Sequence, residues 1–219
     1  MAKRAGRARI RIQVRPFLDA LLAGDQASAI RLASDALALL GSRVAVFSDL
    51  LQPAQYEIGE LWYAGRIGVA DEHRATAIVE SVVKALPATP SRDPVPPGSR
   101  CLLATLGDEQ HVLGLQVLRL SLDDEGWTTE WLGARVPLER VLELVMARPP
   151  HVVALSSAYL PAVQPLKLAI DRIKLTGARV LVGGPAFNRN PDLFNRIGAD
   201  GQGSDSRMSL VLARRLLAR

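Results

Sequence analysis

The rhythm of apolar positions changes part-way along the chain. From Pro16 to Pro87 they recur at three- and four-residue intervals, the period of helices that pack by one face. A short helix over Pro16–Leu22 stops at Ala23-Gly24, and Asp25 can cap a second helix that runs to Leu40 and stops at Gly41. A third spans Arg43 to Ala64, with Val44, Phe47, Leu50, Leu51, Tyr56, Ile58 and Leu61 as its stripe. Pro53 lies inside it and predicts a kink or break. Gly65-Arg66-Ile67-Gly68 forms a turn, and a fourth helix covers Val69 to Leu86. Short connections imply antiparallel neighbours, so residues 16–87 are expected to form a four-helix bundle.

The stretch Ala88–Gly98 holds four prolines and reads as an extended, semi-rigid linker at a domain boundary. Beyond it, short apolar runs alternate with helical patterns. Strands are expected at Arg100–Leu106, Thr128–Leu132, His151–Ser156 and Arg179–Val182, with a weak fifth near Asp200–Gly203. Helices are expected at Val112–Glu125, Leu138–Met146, Leu160–Thr176, Asp192–Ile197 and Ser206–Leu217. This alternation predicts a five-stranded open parallel sheet with helices on both faces over residues 99–219. A flavodoxin-like strand order, 2-1-3-4-5, would place a ligand crevice between strands 1 and 3.

Three turns converge on one edge of such a sheet. After strand 1 comes Gly107-Asp108-Glu109-Gln110-His111-Val112-Leu113-Gly114. A neutral imidazole is a common ligand for a transition metal, and a carboxylate beside it can take the other ring N–H and fix the tautomer. Gly114 would let something bulky approach the backbone. Taken alone, His111 could equally be a solvated loop residue. Ser156-Ser157 follows strand 3 and Gly183-Gly184-Pro185 follows strand 4. The serines could instead cap a helix, and the glycines could form an ordinary turn. Together the three turns outline a groove of hydroxyls and bare backbone able to take a long polar ligand. His151, after Pro149-Pro150, reads as structural.

Composition narrows the class. Cys101 is the single cysteine and falls in a strand, which excludes disulfides and cysteine-based zinc sites. No apolar run approaches the roughly 18 residues of a membrane span, and the N-terminus has no secretory apolar core. A cytoplasmic protein is expected. The net charge of +5 is uneven, because Lys3, Arg4, Arg7, Arg9, Arg11 and Arg15 all precede the first acidic residue, Asp19. This basic tail, residues 1–15, could bind nucleic acid or an anionic surface, or be a solvated terminus. It lacks the aromatic interleaving of a single-strand binder. The remainder is near charge balance, with no obvious DNA-binding footprint.

The turns resemble the cobalamin-binding domain shared by methionine synthase, corrinoid carrier proteins and cobalamin-dependent photoreceptors. That family carries D/E-x-H-x-x-G, then S-x-L, then a glycine pair. Glu109-Gln110-His111-Val112-Leu113-Gly114 matches the first motif; Ser156 begins the second, with Ala158 in place of leucine; Gly183-Gly184 supplies the third. The resemblance implies that His111 is the lower axial cobalt ligand, in the base-off/His-on form. It implies that the displaced cofactor tail lies near Ser156, Ser157, Gly183 and Gly184. In the helical half, Trp62 is followed after nine residues by Glu72-His73. That pattern, with Gln52–Leu61 before it, is similar to the light-sensing branch typified by CarH and LitR. Trp62 would cover the upper, adenosyl face of the cofactor and Glu72 would bond ribose hydroxyls. Read without the family, Trp62 could be core, and Glu72 and His73 a first helical turn favoured by the helix dipole.

Two departures qualify the resemblance. Photoreceptors of this branch usually begin with a MerR-like winged helix-turn-helix, whereas only the basic tail precedes the bundle here. Direct operator binding is therefore not expected, and action through a transcription-factor partner, in the manner of AerR-type antirepressors, is. Tyr63 also stands where the branch has a histidine that takes the upper cobalt position after light. Water, or a side chain such as His73, would have to serve. The leading expectation is an adenosylcobalamin-binding light sensor, not an enzyme, whose oligomer or partner contacts change on illumination. The alternatives are a corrinoid carrier for methyl transfer, binding methylcobalamin, and an antirepressor using cobalamin or haem.

Overall fold

The computed structural model describes residues 14–218, and they divide into two compact units after Thr89. Most of the basic tail lies outside the described residues. Arg15, assigned above to the tail, is already helical and pairs with Asp19 at 3.2 Å.

The first unit is helical. Helix α1 covers 14–23, and α2 is Gln26–Leu40. Asp25 caps α2 by accepting from Ser28 N–H at 2.9 Å, and Gly41 ends it in a left-handed conformation. The buried face of α2 is small, Ala29, Ala33 and Ala36, and packs against α5. The third helical rod is continuous but not uniform. Helix α3 (Arg43–Val46) passes through a π-helical segment, Phe47–Leu51, into α4 (Gln52–Tyr63). The disruption expected from Pro53 is therefore a wider helical turn just upstream, not a stop. Proline lacks the N–H that would have bonded a carbonyl in that turn. Helix α5 (Val69–Ala85) closes the unit, burying Ala75, Ile78, Val79, Val82 and Val83.

The second unit is a five-stranded parallel sheet of order β2-β1-β3-β4-β5. Its strands are β1 (Arg100–Thr105), β2 (Thr128–Trp131), β3 (Val152–Ser156), β4 (Arg179–Gly183) and β5 (Gly201–Gly203). Helices α6 (Leu113–Asp124), α7 (Leu138–Ala147), α8 (Val163–Leu175), α10 (Pro191–Ile197) and α11 (Ser206–Leu217) join or follow them. This is the doubly wound, Rossmann-like α/β fold that the alternation implied. Strands β1, β3 and β4 are buried almost throughout because helices cover both faces, which is why they read as continuous apolar runs. Leu102, Val153, Leu155, Val180 and Val182 meet Val141, Val145, Ile170 and Phe187 in the core.

Two differences from the expected elements bear on the site. Helix α8 begins at Val163 and not at Leu160, because Pro161 disfavours helix at the residue before it. Tyr159 and Leu160 are thereby left exposed in the β3–α8 loop. A short helix α9 (Pro185–Arg189), absent from the expectation, follows β4 directly; Pro185 sits in its first turn, where a missing N–H costs nothing. The proline-rich stretch is pinned to the sheet unit. Ser91 and Val95 donate N–H groups to Asp124 and Glu125 carbonyls, and Asp93 pairs with Arg214 at 3.2 Å. Burial lowers the Arg214 pKa, but its hydrogen bond to Asp93 and the charge of Glu125 outweigh that and hold it above the ordinary value.

Candidate functional site

The site forms where β1 gives way to α6. Thr105 ends the strand, and Gly107 turns the chain with φ 59°. Glu109 is then carried back under the loop, where it is 3% exposed. A carboxylate so buried must find donors, and it finds three. His111 N–H donates to Oε1 at 2.8 Å, His111 Nδ1–H to the same oxygen at 2.5 Å, and Ala158 N–H to Oε2 at 2.5 Å. Burial alone would raise the Glu109 pKa, yet the His111 and Ala158 amides and the imidazole together hold it below the usual carboxylate range. Glu109 is thus an acceptor fixed as the anion. It stands against the His111 ring, as the spacing of the two residues in the turn implied.

The consequence falls on the imidazole. With Nδ1 committed to Glu109, His111 carries its proton there and leaves Nε2 as a lone-pair donor. The side chain is 63% exposed, so Nε2 is reachable, and it makes no hydrogen bond among the described residues. This is the carboxylate–histidine arrangement that orients metal ligands. Among the described residues no three His, Cys, Asp or Glu side chains gather to hold a metal ion. A single imidazole suits a metal that brings its other ligands with it in a macrocycle.

The main chain of Glu109 is held as firmly as its side chain. Its carbonyl accepts from Thr105 Oγ1 at 3.2 Å and from Arg135 N–H at 3.0 Å. Arg135 adopts φ 56°, a left-handed conformation rare outside glycine and asparagine. Thr105 and Arg135 were not among the residues singled out from sequence. Thr105 left a trace, as the one hydroxyl inside an apolar strand; Arg135 left none.

The other turns divide. Gly114 lies in the first turn of α6, where an added Cβ would meet nothing within 4 Å, so the space above it is open. Ser156 pairs with Gly183 across β3 and β4, and its hydroxyl makes no hydrogen bond among the described residues. Gly184 has φ 98° and ψ 170°, a region essentially confined to glycine, and an added Cβ would stand 2.5 Å from the Ser157 carbonyl oxygen. Ser157 is buried and its Oγ donates to the Tyr159 carbonyl at 2.7 Å, so the hydroxyl shapes the loop at the cavity that Ser157 lines together with Leu106, Glu109 and Tyr159. His151 is structural: its Nδ1 accepts from Arg100 N–H at 3.1 Å. Tyr159, unforeseen, stands edge-on to His111 with ring centroids 5.7 Å apart.

In the helical unit, Trp62 lies in the last turn of α4, and Glu72 and His73 lie in the first two turns of α5, so one five-residue turn brings them to the same end of that unit. Gly68 N–H donates to Asp71 and starts α5. Glu72 Oε1 accepts from Thr76 Oγ1 at 3.0 Å, and Thr76 Oγ1 in turn accepts from Gln55 of α4 at 3.2 Å. His73 Nε2 is 3.5 Å from Glu72 Oε2. Trp62 is 48% and Tyr63 86% exposed, so neither serves as core.

Comparison with known proteins gives this geometry its context. Two family models, each described as a B12 binding domain, match residues 13–86 and 99–211. The HTH-type transcriptional repressor CarH of Myxococcus xanthus is 29% identical over 158 residues, which is 69% of this chain and 50% of that protein. The chain thus spans about half the length of that curated relative. The structure of the Methanosarcina barkeri monomethylamine corrinoid protein superposes with a TM-score of 0.76 at 16% identity, covering 91% of this chain and 96% of that one, and shows the shared fold. Among the described residues no helix is long and apolar enough to cross a membrane. A family match over more than half of the sequence, on an α/β unit whose exposed His111 imidazole is oriented by a buried carboxylate, makes the chain a member of the B12-binding domain family and a cobalamin-binding protein.

Proposed function

We propose that the chain is an adenosylcobalamin-dependent light sensor that regulates transcription through a partner or a change of oligomer. The observation that carries the reading is the His111 ring, its Nδ1 committed to Glu109 and its Nε2 exposed. The residues fit the cofactor: one oriented imidazole for a metal already caged in a macrocycle, and open space above Gly114. His111 would bind the cobalt through Nε2. Ser156, Gly183 and Gly184 would line the path of the displaced tail. Trp62, Glu72 and His73 of the helical unit would supply the contacts to the upper, adenosyl face.

Bound adenosylcobalamin would supply a cobalt–carbon bond that light breaks. The protein's own part would be to hold the cobalt through His111, leaving Trp62 and Glu72 to respond to a change in the group that the cobalt carries. That is a two-state element biased by one ligand. The similarity to a transcriptional repressor supports a regulatory output.

Tyr63 favours keeping a second reading, a corrinoid carrier for methyl transfer, because it offers no imidazole beside Trp62. One experiment separates them. The protein is loaded with adenosylcobalamin in the dark and exposed to green light while absorbance and size are followed. A sensor changes both spectrum and assembly, and Trp62→Ala uncouples the two. If light leaves assembly unchanged and methylcobalamin is instead turned over with a methyltransferase, the carrier reading replaces it.

A further inference from the structure

We infer that Tyr159 is a positioning residue for His111, and that it acts through its ring and not through its hydroxyl. The inference rests on the reading of His111 as the cobalt ligand.

A hydrogen bond at Nδ1 fixes one atom of an imidazole but leaves the ring free to rock about that bond. For Nε2 to keep one direction, a second surface must touch the ring away from Nδ1. Core packing does not provide it, because the His111 side chain is 63% exposed. Tyr159 does. Its ring meets the imidazole at an interplanar angle of 60° and a centroid distance of 5.7 Å, within the range of favourable edge-to-face pairs.

Tyr159 is itself 68% exposed, so it can act as a wall only if its backbone is fixed. Two bonds fix it. Ser157 Oγ–H donates to the Tyr159 carbonyl, and the preceding residue, Ala158, donates its N–H to Glu109 Oε2. Oε1 of that same carboxylate holds His111. Glu109, His111 and Tyr159 therefore close a triangle, in which one carboxylate sets the spacing between the imidazole and the ring beside it. The Tyr159 hydroxyl makes no hydrogen bond among the described residues, so phenylalanine should serve as well.

The test uses the full chain in two states. In the cofactor-free protein, NMR relaxation of ring-labelled histidine reports the order of the His111 ring, with His111→Ala giving the assignment. Tyr159→Ala is expected to lower that order, and Tyr159→Phe to preserve it. The Ala158 amide resonance is the control for the loop; if it moves in Tyr159→Ala, Tyr159→Leu, which keeps bulk without a ring, takes its place. With adenosylcobalamin, the ring-deleting variant should raise the dissociation constant about twofold to tenfold and lower the His-on fraction seen in the spectrum, while Tyr159→Phe stays within about twofold of the parent. An unchanged ring order on deleting the ring, or a phenylalanine variant that behaves as alanine does, overturns the inference. If His111→Ala leaves corrinoid affinity unchanged, the cobalt reading fails instead, and the cofactor-free ring order still decides the role of Tyr159.

Discussion

Glu109, at the β1–α6 turn of the sheet unit, is buried and gathers three N–H donors, whereas Trp62, Tyr63 and His73 of the helical unit stand largely in solvent. The first arrangement is complete in the protein alone. Its acceptors are satisfied, its imidazole is aimed, and its backbone is held by Thr105 of β1 and Arg135 of the β2–α7 loop. The second presents large side chains with few fixed partners, and such surfaces are finished by whatever binds them. Under the proposed function the contrast becomes a division of labour, with the sheet unit holding the ligand and the helical unit responding to what the ligand carries. It predicts that substitutions in the sheet unit cost stability or affinity, and that substitutions in the helical unit cost response.

The largest effect is expected at Gly184. A Cβ there would collide with the Ser157 carbonyl oxygen at 2.5 Å and Ser156 Oγ at 2.9 Å, and φ 98° is strained for any L residue. Gly184→Ala should lower the unfolding free energy by about 2 to 4 kcal/mol, read by urea denaturation. A loss below about 1 kcal/mol would mean that β3 and β4 yield easily, and the rigid half of the contrast would be gone.

Glu109→Gln comes next. The carboxylate uses both oxygens as acceptors, so an amide of the same shape must turn its NH2 toward one of the N–H donors and lose that bond. Corrinoid affinity should fall about tenfold to a hundredfold, as for other partners that orient a metal-ligating histidine, measured by absorbance titration. Unchanged affinity would show that Glu109 serves the loop and not the ligand.

These two residues also show how far the sequence could be read. The carboxylate–imidazole spacing at Glu109 and His111 was visible because both lie in one turn, and strand order followed from the alternation of short apolar runs with helices. The loop-closing bond of Ser157 to the Tyr159 carbonyl was not legible, because a serine after a strand has the same letter whether or not its hydroxyl closes its own loop. Tyr159 was hidden by a boundary. An apolar pattern from Leu160 onward reads as helix, and only the restriction imposed by Pro161 leaves the preceding residues as a loop that reaches His111. Arg135 was invisible, since its contribution is a backbone N–H offered from a left-handed conformation.

Trp62→Ala tests the other half of the contrast. The indole is half exposed at a helix end, so its removal should change stability by less than about 1 kcal/mol. Under the proposed light-sensing function, assembly should no longer follow illumination in this variant. The measurement is a melting curve beside light-dependent chromatography. A large loss of stability would make Trp62 a packing residue and remove the distinction between the two units.

Arg135→Gly carries the smallest effect and sharpens the question of what preorganisation requires. A left-handed conformation costs an L residue about 1 to 2 kcal/mol, and glycine removes that strain. Glycine also loses about 0.5 to 1 kcal/mol more than alanine on ordering. The balance favours the variant by about 0.5 kcal/mol, provided its N–H still reaches the Glu109 carbonyl, 3.0 Å away in the parent. A slightly raised melting temperature with unchanged corrinoid affinity would show that the hydrogen bond, and not the strain, holds the turn. A raised melting temperature with weakened affinity would show the reverse: the strained residue keeps the β2–α7 loop pressed against Glu109, and the sheet unit gives up stability to keep its imidazole aimed.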